Sequence, residues 1–506
     1  MSASRSGTRP SRVSTTLAGD RLNFPHVVGF VITAAAPLTV VAGVVSTGWA
    51  VTNIQGSPLA FLIVAVALAL FCVGYLAVAR RVRNAGAFSA YIARGLGKPL
   101  GVAGSFVAVA AYGMMQTATY GAIGPTAAAL IHDKTGLSLP WWLTALAAWM
   151  LVAVMGITRV EVTSRVLAVA LVAEVLLVVA YDLVDLAHPA QGRLTFTTLA
   201  PHSLTGGGLG VALAIAVTGF IGFEAAAVFS EESRNPNWTV PVATYLSLTM
   251  MALLYAGSAW AMSVTIGPTH LHAAAQTQGT NLPFSIVAAR LGGTLVIDLG
   301  QVLFLTSLLA AALSYHSTVA RYLFALGRER VLPELLGRTG VRTMAPTYAS
   351  LTQTTVGLAV ISAYAISGAD PVVTLFYWFG TIGGFGVLLL ITGTSLAIIQ
   401  FLHRRPLGET VWQRVIAPSL ACAGLLTIVW LISRNLAGLL GVPADSPLRY
   451  AFPAGFALLA VAGVTWALVL RRTRPPIYAA IGLGTLAYGL PTDYTSPTLA
   501  SRSSHQ

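Results

Sequence analysis

Phe220-Ile221-Gly222-Phe223-Glu224 lies inside an apolar run from about Gly208 to Ser230 whose only charge is Glu224. Gly219 and Gly222 bracket the centre of that run, and each weakens a helix by roughly 1 kcal/mol relative to alanine. A carboxylate at bilayer depth is costly enough to mark function by default. The stretch therefore reads as an interrupted membrane helix that handles something small.

The surroundings support that reading. The chain has 506 residues, 56% hydrophobic and only 9% charged, where a soluble chain carries about a quarter charged residues. Its apolar runs are continuous and not alternating, which selects helices over a barrel. The expected fold is an all-α polytopic membrane protein with about 12 transmembrane helices. Their approximate limits are 27–49, 58–79, 102–130, 140–157, 164–184, 207–230, 241–266, 294–318, 347–367, 371–401, 412–433 and 449–470. The net charge of +13 comes from residues scattered between the runs and not from a basic domain, so no nucleic-acid partner is expected. Alternate connections hold 24 and 5 of the Lys and Arg residues, which places both termini in the cytoplasm of a multi-pass plasma-membrane protein. Cys72 and Cys422 lie far apart inside apolar runs, and neither a disulfide framework nor a metal site follows from that spacing.

Residues 1–25 are polar and Ser/Thr/Arg-rich, and read as a disordered cytoplasmic tail and not as a signal peptide. The long outer connection 267–293 is expected to carry a short surface helix, and 319–346 is the arginine-rich inner connection. Residues 477–490 are apolar but glycine-rich and short, which suits an interfacial or loosely packed segment.

The first span is also interrupted, at Ala34-Ala35-Ala36-Pro37-Leu38-Thr39, because proline removes a backbone hydrogen bond and clashes one turn back. Taken singly, Pro37 is a kink and the glycines are packing devices. Two interrupted spans five apart instead point to an inverted-repeat transporter. That division makes 26–205 the first repeat, 206–402 the second, 403–471 two appended spans and 472–506 a cytoplasmic tail.

Several segments resemble the amino acid–polyamine–organocation permeases. Gly222-Phe223-Glu224-Ala225, then Ser230-Glu231-Glu232-Ser233-Arg234-Asn235-Pro236, is similar to that family's sixth-span pattern. Arg321-Tyr322-Leu323-Phe324-Ala325-Leu326-Gly327-Arg328-Glu329-Arg330-Val331-Leu332-Pro333 is similar to its signature after span eight. The resemblance implies a LeuT-like 5+5 inverted repeat with discontinuous helices 1 and 6. It implies substrate carboxylate capture at the first break, which here reads Ala35, Ala36, Pro37, Leu38 and Thr39 with no glycine. It places the substrate amino group at the carbonyls of Thr218 and Gly219, with Phe220, Ile221, Gly222 and Phe223 bordering the substrate and a ring acting as gate. Some members carry a lysine near Glu174, so Glu174 and Glu224 are the candidates for ion coupling. Tyr120, beside Gln116 and Thr119, and Trp378, beside Thr381, are further candidates for the cavity wall, with interhelical contact as the alternative. His316 is read as an interface residue.

The expected function is secondary active transport of an amino acid or related amine by alternating access, driven by the proton gradient, with sodium as the alternative ion. No phosphate-binding Gly-x-x-x-x-Gly-Lys-Ser/Thr loop is present, no cofactor is expected, and no obligate protein partner is inferred beyond the lipid bilayer. An exchanger is the nearest rival, followed by a solute-binding channel or sensor. An enzyme ranks last.

Overall fold

The computed structural model of the chain describes residues 13–14, 27, 36–51, 54–82, 84–158, 160–204, 208–224, 228, 233, 235–340, 343–404 and 408–484. In lipid every backbone polar group has to be satisfied within the protein, so each long apolar run closes on itself as a helix. Eight described helices are long and apolar enough to cross a membrane, three shorter apolar ones accompany them, and Val160–Ala187 completes the series.

In chain order these are α1 (Thr39–Val51), α2 (Ser57–Ala79), α3 (Lys98–Thr135), α4 (Trp141–Gly156), α5 (Val160–Ala187) and α6 (Leu209–Phe220). They continue as α7 (Pro236–Ile266), α8 (Leu295–Arg328), α9 (Thr347–Ser367), α10 (Pro371–Arg404), α11 (Trp412–Arg434) and α12 (Leu448–Thr473). The central pillar is α3, which packs against α8, α10 and α12, while α2 packs against α7 and α11. Many apolar side chains on α5, α9, α11 and α12 face outward, as lipid contact demands.

Four departures from the sequence expectations concern the connections. The eighth helix runs ten residues beyond its expected end and buries Arg321 and Arg328, which composition alone assigned to a solvated loop. Within the expected disordered tail, Val13 and Ser14 pair antiparallel with Gly340 and Thr339; the rest of residues 1–25 lies outside the described residues. The connection 267–293 holds two helices, Leu271–Gln278 and Leu282–Leu291. His272 Nδ1 meets the carbonyl of Trp49 at 2.8 Å, which pins that connection to the end of α1.

The fourth departure is the segment after α12. It is docked and not loose: a short helix Pro475–Ala480 leads to buried Ile481. Glu329 then accepts from the backbone amides of Gly482 at 3.0 Å and Gly484 at 3.1 Å and from Asn84 Nδ2 at 3.1 Å. Residues 485–490 lie outside the described residues.

Candidate functional site

A cavity of about 590 Å³, including its mouth, lies between α1, α3, α6, α8 and α10. Ala36, Thr39 and Thr47 line it from the first span, Thr119 from α3, Thr218 from α6, Tyr315 from α8, and Phe376, Tyr377 and Thr381 from α10.

One break borders the cavity directly. Ala36 has φ +42°, a left-handed conformation that an L-residue with a Cβ adopts at a cost of about 1–2 kcal/mol. Helix begins at Pro37, whose fixed φ suits a helical start and whose missing N–H is not needed there. Pro37 therefore stands at the start of the α1 helix, directly after the non-helical Ala36.

The next two amides are both taken. Thr39 donates its N–H and its hydroxyl to Ser307 Oγ, each at 3.1 Å. The Ser307 hydroxyl and the backbone N–H of Leu38 bond to the Glu174 carboxylate, which is 1% exposed. Glu174 Oε2 has no partner among the described residues. A carboxyl group thus sits at the start of the helix, where free amides favour negative charge.

The other break is in the sixth span. The helix ends at Phe220, Ile221 is extended with ψ 129°, and Gly222 has φ +117°. Only glycine takes that conformation without strain. Glu224 turns back on the break: its Oε2 accepts from Gly222 N–H at 3.0 Å, and Tyr112 donates its hydroxyl to Oε1. Tyr112 stacks on Tyr322 at 6.0 Å and lies 6.5 Å from Tyr315, a wall residue of the cavity. Each break therefore carries a buried glutamate on its freed amide, and each glutamate is two contacts from the cavity: through Ser307 and Thr39 for Glu174, and through Tyr112 and Tyr315 for Glu224.

Of the candidate wall residues, Ala36, Thr39 and Thr218 line the cavity; Ala35 lies outside the described residues. Pro37 and Leu38 belong to the break and are not on the wall. Gly219 is helical, with chain unwinding only after Phe220; a Cβ there would come within 2.9 Å of Phe61 and 3.0 Å of Val40. It is a packing glycine, and the break is at Gly222.

The proposed aromatic gate is also corrected. Phe220 packs on Phe61 and Tyr255 at 6.0 and 5.8 Å, and Phe223 packs on Phe71 at 6.3 Å. Both rings are buried against α2 and away from the cavity, Phe220 from the end of the helix and Phe223 from the turn that follows it. Ile221 packs near Gly384. Trp378 donates to the carbonyl of Leu440 at 3.0 Å, and its neighbours Tyr377 and Thr381 take the wall.

Tyr120 belongs to a separate polar network. Gln116 Nε2 donates to Tyr120 Oη at 3.0 Å and meets His316 Nδ1 at 3.2 Å. His316 Nε2 meets Ser350 Oγ at 2.7 Å, and Gln353 donates to Gln116 Oε1 at 2.7 Å. This network ties α3, α8 and α9 together, and His316 is the satisfied interface residue that its sequence position implied.

Residues missed from the sequence include Val40, Gly43, Met115, Tyr315, Phe376 and Tyr377. Their signal is helical spacing: 36, 40, 43 and 47 continue one face of the first span outward from its break. Among the described residues no cluster of three His, Cys, Asp or Glu side chains is placed to hold a metal.

Residues 26–448 match the family model for amino acid permeases. The chain is 28% identical over 165 residues to the lysine-specific permease LysP of Lactococcus lactis subsp. cremoris, covering 32% of each chain. It is 32% identical over 135 residues to the branched-chain amino acid permease BcaP of Bacillus subtilis, covering 26% of this chain and 27% of that one. It is 24% identical over 216 residues to BcaP of Lactococcus lactis subsp. cremoris, covering 42% of this chain and 43% of the relative. The chain thus matches well under half the length of each of these relatives.

Proposed function

The chain belongs to the amino acid permease family, and from that premise we propose that it is a secondary active transporter carrying an amino acid across the membrane by alternating access. The observation that carries this reading is the pair of opposed, interrupted helices flanking one cavity, each break held by a buried glutamate. Interrupted backbone at membrane depth is tolerated only where it is buried in protein or lines a cavity, and half-helix ends at such breaks are the usual seat of substrate and coupling ion.

With both termini cytoplasmic, as the charge distribution favours, the cavity lies on the outer side of the breaks. The tyrosines around Glu224 then form its inner floor. Glu174 is the coupling group: taking up a proton removes the anion from the start of α1 and frees Leu38 and Ser307 to change partners. The substrate reaches that linkage through Thr39, which lines the cavity and bonds to Ser307. Relatives named for lysine and for branched-chain amino acids favour an amino acid over other amines.

The test is uptake into proteoliposomes under an imposed pH gradient, with and without sodium, beside counterflow with no gradient. Glu174→Gln is expected to retain counterflow and lose acceleration by the gradient. Unimpaired pH-driven accumulation in that variant removes Glu174 from coupling, and failure of every amino acid to exchange removes the transport reading.

A further inference from the structure

Building on that transport reading, we infer that the cavity takes amino acids with an uncharged, largely apolar side chain and excludes lysine, arginine and the acidic amino acids. Among the described residues the lining carries no Asp, Glu, Lys, Arg or His. The chain on either side of the two breaks does not alter this, since residues 28–35 and 225–227 contain no ionisable side chain either.

The nearest carboxylates are already committed. Glu174 holds Leu38 and Ser307, Glu224 holds Gly222 and Tyr112, and each is 1% exposed. Neither is presented to the cavity as a counter-ion for a cationic side chain.

Three of the wall threonines are committed as well. Thr218 donates to Ala214 O at 2.9 Å, Thr119 to Gln116 O at 2.6 Å, and Thr381 to Tyr377 O at 2.6 Å. Each threonine thereby spends its proton on its own helix. Val40, Val44, Met115, Ile215 and Phe376 supply the remaining apolar surface. The polar exceptions are Thr47 and Tyr315, which add neutral hydroxyls to the wall, and Tyr377, whose hydroxyl is buried without a partner among the described residues. A few neutral hydroxyls suit a methyl, thioether or hydroxyl side chain. A charge held there unpaired is disfavoured by about a hundredfold, taking the modest end of the cost of a charged group at membrane depth.

The experiment is counterflow by the wild-type chain in proteoliposomes preloaded with leucine, using leucine, valine, methionine, lysine, arginine and glutamate as external competitors. Half-inhibition by the neutral three at concentrations about a hundredfold below the charged three is the expected result. Lysine, arginine or glutamate competing within tenfold of leucine overturns the assignment while leaving amino acid transport intact. If none of the six exchanges, the side-chain assignment falls, and the transport reading falls only if every other amino acid also fails to exchange. Met115→Glu, close in length, supplies the missing wall charge. It is expected to shift the lysine-to-leucine ratio at least tenfold toward lysine, and an unchanged ratio in a folded variant overturns the argument. If that variant does not fold, the wild-type panel decides alone.

Discussion

Gly222 donates its backbone N–H to Oε2 of Glu224, two residues further on and 3.0 Å away. The interruption of α6 is therefore closed by a carboxylate from its own turn, and glycine is needed where φ is +117°. Replacement of Gly222 by alanine is expected to lower stability by about 1–3 kcal/mol, the usual cost of a strained backbone conformation. Thermal unfolding of the detergent-solubilised protein reads this, and an unchanged midpoint would show that the turn relaxes freely.

Tyr112 holds the other oxygen of Glu224. Tyr112→Phe keeps the ring stack on Tyr322 but leaves a buried carboxylate oxygen without its donor. The expected loss is about 1–3 kcal/mol, together with slower exchange, because the floor beneath Tyr315 loses its anchor. Equal midpoints for the variant and the parent would assign that hydroxyl no structural weight.

At Gly219 the argument is steric. A Cβ would sit 2.9 Å from Phe61 and 3.0 Å from Val40, so Gly219→Ala drives α6 away from α1 and α2. Overpacking of this kind costs about 1–3 kcal/mol. Because Val40 lines the cavity, the half-saturating substrate concentration should rise as well. Stability that falls while substrate affinity stays constant would separate packing from the site.

Glu329 is the hub of the docked C-terminal segment. Burial pushes its carboxyl above the ordinary value of 4.5, while the amides of Gly482 and Gly484 and the Asn84 side chain pull it back. A raised carboxyl takes up a proton on docking. The contact is accordingly firmest below the ordinary value and weakens as pH rises through the window up to the raised one. Hydrogen exchange of residues 475–484 should accelerate across that window in the parent. In Glu329→Ala it should be fast at every pH, and slow exchange there would remove Glu329 from the contact.

The spans were readable from the sequence because a lipid-facing or packed helix needs a continuous apolar run; their order agrees with the structure, and the clearest differences in limits are at the ends of α6 and α8. The existence of both breaks was readable too, from Pro37 and from a lone carboxylate just after two glycines. Which glycine carries the break was not, since backbone dihedral preference is the same for Gly219 and Gly222 until neighbours are known. The directions of Phe220 and Phe223 depend on which face meets α2, and nothing local records that. The cavity wall follows one helical face away from each break, and was not legible because its small and apolar residues are the same types that pack helix against helix. Arg321 and Arg328 show the limit of composition: long side chains bury their stems wherever a helix continues into a loop-like sequence.

The connection after α8 meets both ends of the chain, through Val13 and Ser14 on Thr339 and Gly340, and through Glu329 on Gly482 and Gly484. Two segments more than 460 residues apart in sequence thus share one mooring. For anyone labelling this protein, that makes the termini poor places for an inert tag and good places for a reporter. A dye on either tail senses movement of the same short loop, and a bulky fusion at one end disturbs the contact made by the other.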